Sequence, residues 1–325
     1  MMQNETIYLS VDLGGTSLRL CALDETGSQI LLKTLSSDLV RRPDALVKTL
    51  IEEITGLSEA PGVRGKKIMG VSLGVPGLVD FEHGMVRQSP HFPLWKNLSL
   101  RAPLQEKFPF KILVENDANQ AALGESYAGA GKKWEDFIML TLGTGIGGGI
   151  VYQKKIFHGT QGFAGEVGHM VIDQNGLAGA LGIRGTLETQ ASASGLRLQF
   201  RHFLQQANPA SLSEACSRLD PDSADLPLKL AQLAEGGDKN AKALWEQFGR
   251  ALACGIASLA NAFGIFHFIL GGGLLGAWKH FMPACQKELP QRIYATTASL
   301  IEIVPASLGE RAGLAGAIPL LMGAH

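Results

Sequence analysis

"IYLSVDLGGTSLRLCALD" (residues 7–24) and "FIMLTLGTGIGGGIVYQ" (137–153) follow one plan: an apolar strand, a Gly/Thr turn, and a second strand of β-type residues. Each reads as a β-hairpin with a glycine-rich tip, since branched and aromatic residues suit the pleated backbone and glycine accepts a tight turn. Between them "DALVKTLIEEIT" (44–55) carries apolar residues at helical spacing, and "KIMGVSLGVP" (67–76) reads as a strand. "KILVE" (111–115) is a second strand, and it runs into the helix "NDANQAALGESYAGAG" (116–131). A strand-rich opening followed by crossover helices, met twice, predicts an α/β protein.

Composition bounds the rest. A chain of 325 residues exceeds what one hydrophobic core usually supports, so two domains are expected. With 46% hydrophobic and 18% charged residues the composition is globular. A net charge of -1 gives no reason to expect nucleic acid or an anionic membrane as partner, and favours a small-molecule ligand. Cys21, Cys216, Cys254 and Cys285 show no paired spacing, and the N-terminus has no secretory pattern, which fits a cytoplasmic protein. Ala251 to Trp278 contains no Asp, Glu, Lys or Arg, yet it changes character midway. "LWEQFGRALACGIASLANAF" (244–263) reads as a buried helix, "FHFIL" (266–270) as a strand, and "GGGLLG" (271–276) as a turn entering another helix, so no membrane span is expected.

Residues 195–250 have helical periods and few β signals, in "GLRLQFRHFLQQA" (195–207), "SLSEACSRL" (211–219) and "NAKALWEQFGRALA" (240–253). They read as a helical elaboration of the second domain. "IEIVPASLGERAGLAGAIPLLMG" (301–323) gives a strand and then a small-residue helix.

Four constellations carry chemistry. The tip "DLGGT" (12–16) offers the N–H groups of Gly14, Gly15 and Thr16 to an anion, and Asp12 could hold Mg2+ through water; a tight turn beside a solvated Asp explains the same residues. "LGTGIGGGI" (142–150), with Gly143, Thr144 and Gly145, supplies a matching tip, and the two together suit a nucleotide triphosphate. In "VENDANQAALGE" (114–125), Asn116 or Asp117 could cap the helix, or Asp117 could accept the proton of an attacking hydroxyl while Asn116 bonds its neighbour. Glu166 and His169 in "AGEVGHMVID" (164–173) are too few for zinc; with Glu188 they suit the hydroxyls of a polyol, or else are core and cap residues.

Read in order, "DLGGTSLRL", "GVPGLVD" (74–80), "ENDANQAALGE", "LGTGIGGGIV", "GTQGFAGEVGHMVID" and "LGGGLL" (270–275) resemble the ROK family of sugar kinases and sugar-responsive repressors. That family belongs to the hexokinase/actin ATPase superfamily. The resemblance spans nearly the whole chain and implies a two-domain, actin-like (ribonuclease H-like) α/β fold with an interdomain cleft. Residues 1–117 with about 305–325 would form one domain, and 118–304 the larger one. It implies ATP phosphates on both hairpin tips, Mg2+ near Asp12, and adenosine beside Gly271, Gly272 and Gly273. Asp117 becomes the catalytic base, and Asn116, Glu166, His169, Glu188 and Gly77 the sugar contacts. A homodimer is implied by the resemblance alone.

The same family usually carries a zinc motif, Cys-x-Cys-Gly-x-x-Gly-Cys-x-Glu, whose cysteines join the His. Here Gly179, Leu181 and Thr186 occupy the cysteine positions, while Gly182, Gly185 and Glu188 keep the frame. The chain therefore resembles a ROK kinase without its structural zinc, and something else must orient His169. Two further departures are His91, where Asn is usual, and Ile265, where Pro is usual.

The expected activity is ATP-dependent phosphorylation of a hexose, glucose first, with N-acetylmannosamine, N-acetylglucosamine, fructose and allose as alternatives. A non-catalytic sugar sensor or transcriptional regulator is the rival. Eleven residues before Asp12 leave no expected room for a winged-helix DNA-binding domain. Zinc chelation, with magnesium in excess, is expected to leave phosphotransfer intact; loss restored by added zinc would show the 176–186 segment to be misread.

Overall fold

The computed structural model describes residues 5–206 and 212–325. In chain order the elements are β1 (Thr6–Leu13), β2 (Ser17–Leu23), β3 (Gln29–Ser36), α1 (Pro43–Glu59), β4 (Lys67–Val75), β5 (Leu78–Asp80), β6 (Met85–Gln88) and β7 (Lys96–Ser99). Then come α2 (Arg101–Lys107), β8 (Lys111–Asn116), α3 (Asp117–Ala128), β9 (Phe137–Leu142), β10 (Ile146–Tyr152), β11 (Lys155–Ile156), α4 (Leu187–Ala191) and α5 (Ala193–Gln206). The chain continues with α6 (Glu214–Ser217), α7 (Leu226–Glu235), α8 (Lys239–Phe263), β12 (His267–Gly271), α9 (Trp278–Glu288), α10 (Ala295–Ala298), β13 (Glu302–Pro305), α11 (Ala312–Ala315) and α12 (Ala317–Leu321).

Both glycine-tipped hairpins form, as β1–β2 and β9–β10, and each lies inside a five-stranded sheet. The orders are β3-β2-β1-β4-β8 and β11-β10-β9-β12-β13, so in both sheets the hairpin's first strand is central. β4 runs parallel to β1, and β8 parallel to β4, which their helical crossovers require. The apolar runs of β1 and β4 are buried on both faces, one against α1 and α2 and the other against α3, α11 and α12. A small sheet, β5-β6-β7, was not expected from the sequence; its strands are three or four residues long and partly polar.

The expected helix 195–207 appears as α5 to Gln206, its final residue lying outside the described ones. Ser213 caps α6 by accepting from the Cys216 N–H at 3.1 Å. The uncharged stretch from Ala251 resolves into α8, β12 and a 3-10 turn, and no described helix is long and apolar enough to cross a membrane. The expected C-terminal helix divides into α11 and α12 at Gly316, whose backbone lies too close to the Gln120 carbonyl for a side chain.

The chain forms two compact units, residues 1–139 with 149–165 and 306–325, and residues 140–148 with 166–305. In the first, α3 is unusual in burying polar side chains. Gln120 is fully buried; its amide donates to the carbonyls of Val11 (3.1 Å) and Gly313 (2.8 Å), and its oxygen accepts from the Ser72 hydroxyl at 2.5 Å. Glu125, also fully buried, accepts from the N–H groups of Ala130 (2.7 Å), Ser307 (3.2 Å) and Leu308 (2.8 Å). A buried polar group is tolerated when bonded and costly when its partner is removed. Gln120→Ala is therefore expected to lower unfolding free energy by about 2–4 kcal/mol. Urea unfolding reads this, and an unchanged midpoint would remove Gln120 from that role.

Candidate active site

In the first unit, β1 carries Asp12 opposite Arg19 of β2 and beside Gly74 of β4. The Arg19 guanidinium is 3.8 Å from the Asp12 carboxylate and 3.1 Å from that of Glu310. Burial pushes the Asp12 carboxyl up to about 6; Arg19 pulls it down and Glu310 pushes it further up. The adjoining tip is closed by the Gly14 N–H donating to the Ser17 carbonyl at 2.8 Å, so an anion here would be met by Gly15 and Thr16. Ser37 holds the tip from behind, its hydroxyl on the Gly15 carbonyl (2.8 Å) and its N–H on the Thr16 carbonyl (3.1 Å). The His91 ring lies over Gly15, 3.1 Å from where a β-carbon would stand.

At the β8–α3 junction Asn116 is the N-cap. Its Oδ1 accepts from the N–H groups of Ala118 (2.9 Å) and Asn119 (3.1 Å), and its Nδ2 donates to the Gly77 carbonyl at 3.1 Å. Gly77 has φ 116 and packs on the Gln88 backbone, which explains the glycine. Asp117 follows in the first turn, half-buried, with one oxygen accepting from the Ala118 N–H at 2.9 Å. Capping therefore leaves one amide hydrogen of Asn116 for another acceptor.

The second unit gathers Glu166, His169 and Glu188. A single 3-10 turn, Val167–His169, brings the His169 ring to 3.9 Å from the Glu166 carboxylate. Burial raises the Glu166 pKa; His169 lowers it and nearby Glu188 raises it. Glu188 lies in the first turn of α4, capped by Thr186, and its carboxylate accepts the Ile146 N–H at 3.0 Å. It packs against Gly145 so closely that no side chain fits there. The tip carbonyls of Gly143 and Thr144 accept from the Ala193 and Ser194 N–H groups at 2.9 and 3.1 Å, anchoring the loop on the start of α5. Gly272, at φ 92, lies on the Leu142 backbone, which sets Gly271 to Gly273 beside the 143–145 tip. Nothing lies within 4 Å of where a β-carbon would stand on Gly143 or Gly273.

The segment that lacks the cysteines is held by backbone bonds. Ala178 pairs with Arg184 across a turn closed by the Gly179 N–H on the Ile183 carbonyl (2.9 Å). The Ile172 and Asp173 N–H groups both donate to the Gly185 carbonyl, at 2.9 and 3.1 Å, and Gly185 itself, at φ 63, sits against Asp173. Among the described residues no group of three or more His, Cys, Asp or Glu is arranged to hold a metal ion. The Glu166 carboxylate faces the His169 ring at 3.9 Å, too far for a hydrogen bond.

Sequence reading passed over His158, whose Nε2 lies 2.6 Å from the buried Glu115 carboxylate. The two residues are far apart in sequence, and no local pattern joins them.

The sequence model of the ROK family matches residues 8–323. The chain belongs to the ROK family. Its fold is accordingly the α/β fold of actin-like ATPases. A glucokinase of Thermotoga maritima is 33% identical over 316 residues, covering 96% of both chains. A xylose repressor of Caldicellulosiruptor bescii is 26% identical over 314 residues, covering 97% of this ROK protein and 77% of the repressor. A ROK family glucokinase from Streptomyces griseus, solved with glucose and AMPPNP, superposes with a TM-score of 0.76 at 29% identity, over 97% of this chain and 98% of that one.

A carboxyl whose folded pKa stands above its unfolded value of 3.8 weakens the fold once ionised. For Asp12 that cost is absent below about pH 4, grows as pH rises, and is complete above about pH 6. Asp12→Asn is expected to stabilise the ligand-free protein at pH 8 by on the order of 1–3 kcal/mol, and hardly at all at pH 4. Unfolding at both pH values checks this; no gain at pH 8 would refute it.

Proposed function

We propose that this ROK protein transfers the γ-phosphoryl group of ATP to a hydroxyl of a hexose, glucose being the first candidate. The observation that carries the reading is the hydrogen bond from the Ile146 N–H to Glu188. It ties Glu188, one of the three proposed sugar contacts with Glu166 and His169, directly to the end of the proposed phosphate tip, Gly143 to Gly145. The glucokinase relatives support the same reaction.

In this mechanism the carboxylates and the imidazole hold sugar hydroxyls, and the remaining amide hydrogen of Asn116 holds another. Asp117 accepts the proton of the attacking hydroxyl, and one of its oxygens also accepts the Ala118 N–H. Gly15, Thr16 and Gly143 to Gly145 offer N–H groups to phosphate oxygens, and Gly271 to Gly273 border the adenosine. Magnesium supplies neutralisation of phosphate charge when bound. Asp12, with its carboxyl pushed up to about 6, would hold it through water, and only when ionised. Phosphate affinity is therefore expected to weaken as pH falls through about 6.

A sugar-responsive regulator without catalysis is the second reading, favoured by the xylose-repressor relatives. A coupled assay with glucose, fructose, allose, N-acetylglucosamine and N-acetylmannosamine separates the two. Asp117→Ala is expected to lower kcat by about 10² to 10⁴ while leaving sugar binding measurable by calorimetry. Retained turnover within tenfold would remove Asp117 from the base role, and no turnover of any sugar by the unaltered protein would favour the regulator.

A further inference from the structure

A carboxylate only 1% exposed needs hydrogen-bond donors on both oxygens, and Glu115 has them. Its Oε1 accepts from the Asn116 N–H at 2.8 Å and from Asn119 Nδ2 at 2.9 Å. Its Oε2 faces His158 Nε2 at 2.6 Å, so with Glu115 ionised that nitrogen carries the hydrogen and donates. His158 is itself fixed: its ring stacks on Phe81 at 4.6 Å, and its carbonyl accepts the Ala164 N–H at 3.0 Å.

The placement of this pair is functional in its consequences. Glu115 grips the main chain of Asn116, one residue before Asp117. His158 opens residues 158–165, the last stretch of the first unit before the chain passes into the second at Glu166. The imidazole–carboxylate contact thus holds two things together: the turn bearing the base, and the root of the segment that presents Glu166. We propose that His158 and Glu115 form a positioning pair for the phosphotransfer site, fixing the Asn116–Asp117 turn against the 158–165 segment. This rests on Asp117 being the base and Glu166 a sugar contact.

Removing the His158 ring leaves a buried Glu115 oxygen without its donor and costs stability, but the 158–165 segment keeps other contacts. Gly162 remains pressed on the Val79 backbone, and the Phe157 N–H keeps its bond to the Ile150 carbonyl at 2.8 Å. His158→Ala should therefore fold, and His158→Gln restores a donor toward Glu115. Steady-state kinetics in glucose and in ATP, with amide hydrogen exchange at Ala118 and Asn119, tests the proposal. His158→Ala is expected to lower kcat about tenfold or more and raise the sugar KM, with the ATP KM within about twofold. Exchange at Ala118 and Asn119 should quicken, and His158→Gln should recover kcat to within about threefold of the unaltered protein. Values for His158→Ala within twofold of the unaltered protein, with exchange unchanged, would overturn the proposal. So would a loss falling equally on the sugar and ATP KM and not recovered by His158→Gln. Were the unaltered protein inert toward every sugar, the kinase reading would fail on its own; exchange at Ala118 and Asn119, with sugar affinity by calorimetry, would then decide the pair.

Discussion

One buried amide organises the first unit. Gln120 touches β1 through Val11, β4 through Ser72 and α11 through Gly313, and it fills all three contacts from a single side chain. An amide fully removed from water has strong angular demands, so these elements meet in one arrangement and not in a range of them. α3 starts at Asp117 and β1 runs through Asp12, so fixing α3 against β1 also fixes the two carboxylates at their ends. Glu125 extends the same logic to the far end of α3, and Glu115 to its near end.

Much of this was legible in the sequence where the signal is local. The hairpins are so because alternating β-type residues and glycine tips are short-range patterns, and their repetition reappears as two sheets with matching strand order. Asn116 reads from the sequence as either a cap or a hydroxyl contact, and its geometry shows the cap: Oδ1 accepts from the helix while Nδ2 donates to the Gly77 carbonyl. What stayed hidden was long-range or weakly patterned. The β5-β6-β7 meander mixes polar residues into very short strands. His158 finds Glu115 across intervening β9 and β10, and nothing near either residue announces the other. Gly145 reads from the sequence as part of a phosphate-binding tip, and nothing local shows that the Glu188 carboxylate packs against it.

The 171–186 segment, which carries no cysteine, is ordered by its own backbone. Glycines at 182 and 185 still supply the left-handed turns, at φ 77 and φ 63, and the backbone closes on itself through Gly185 and Asp173. Gln190 adds a side-chain bond to the Asp173 carboxylate at 3.2 Å. The ordering entropy of the loop is met by many modest bonds in place of a few strong ones. The hairpin tip meanwhile exposes Leu181 and Ile183.

The first unit is assembled from three separate stretches of chain, and the last of them, 306–325, completes the polar interior of α3. Until Ser307, Leu308 and Gly313 arrive, Glu125 and Gln120 lack several of their partners. The N-terminal sheet can therefore form its strands early but cannot complete its contacts with α3 until residues 307–313 are present. Closing this unit around α3 thus depends on side-chain bonds that span 182 to 193 residues of sequence, the kind of non-local contact that slows folding.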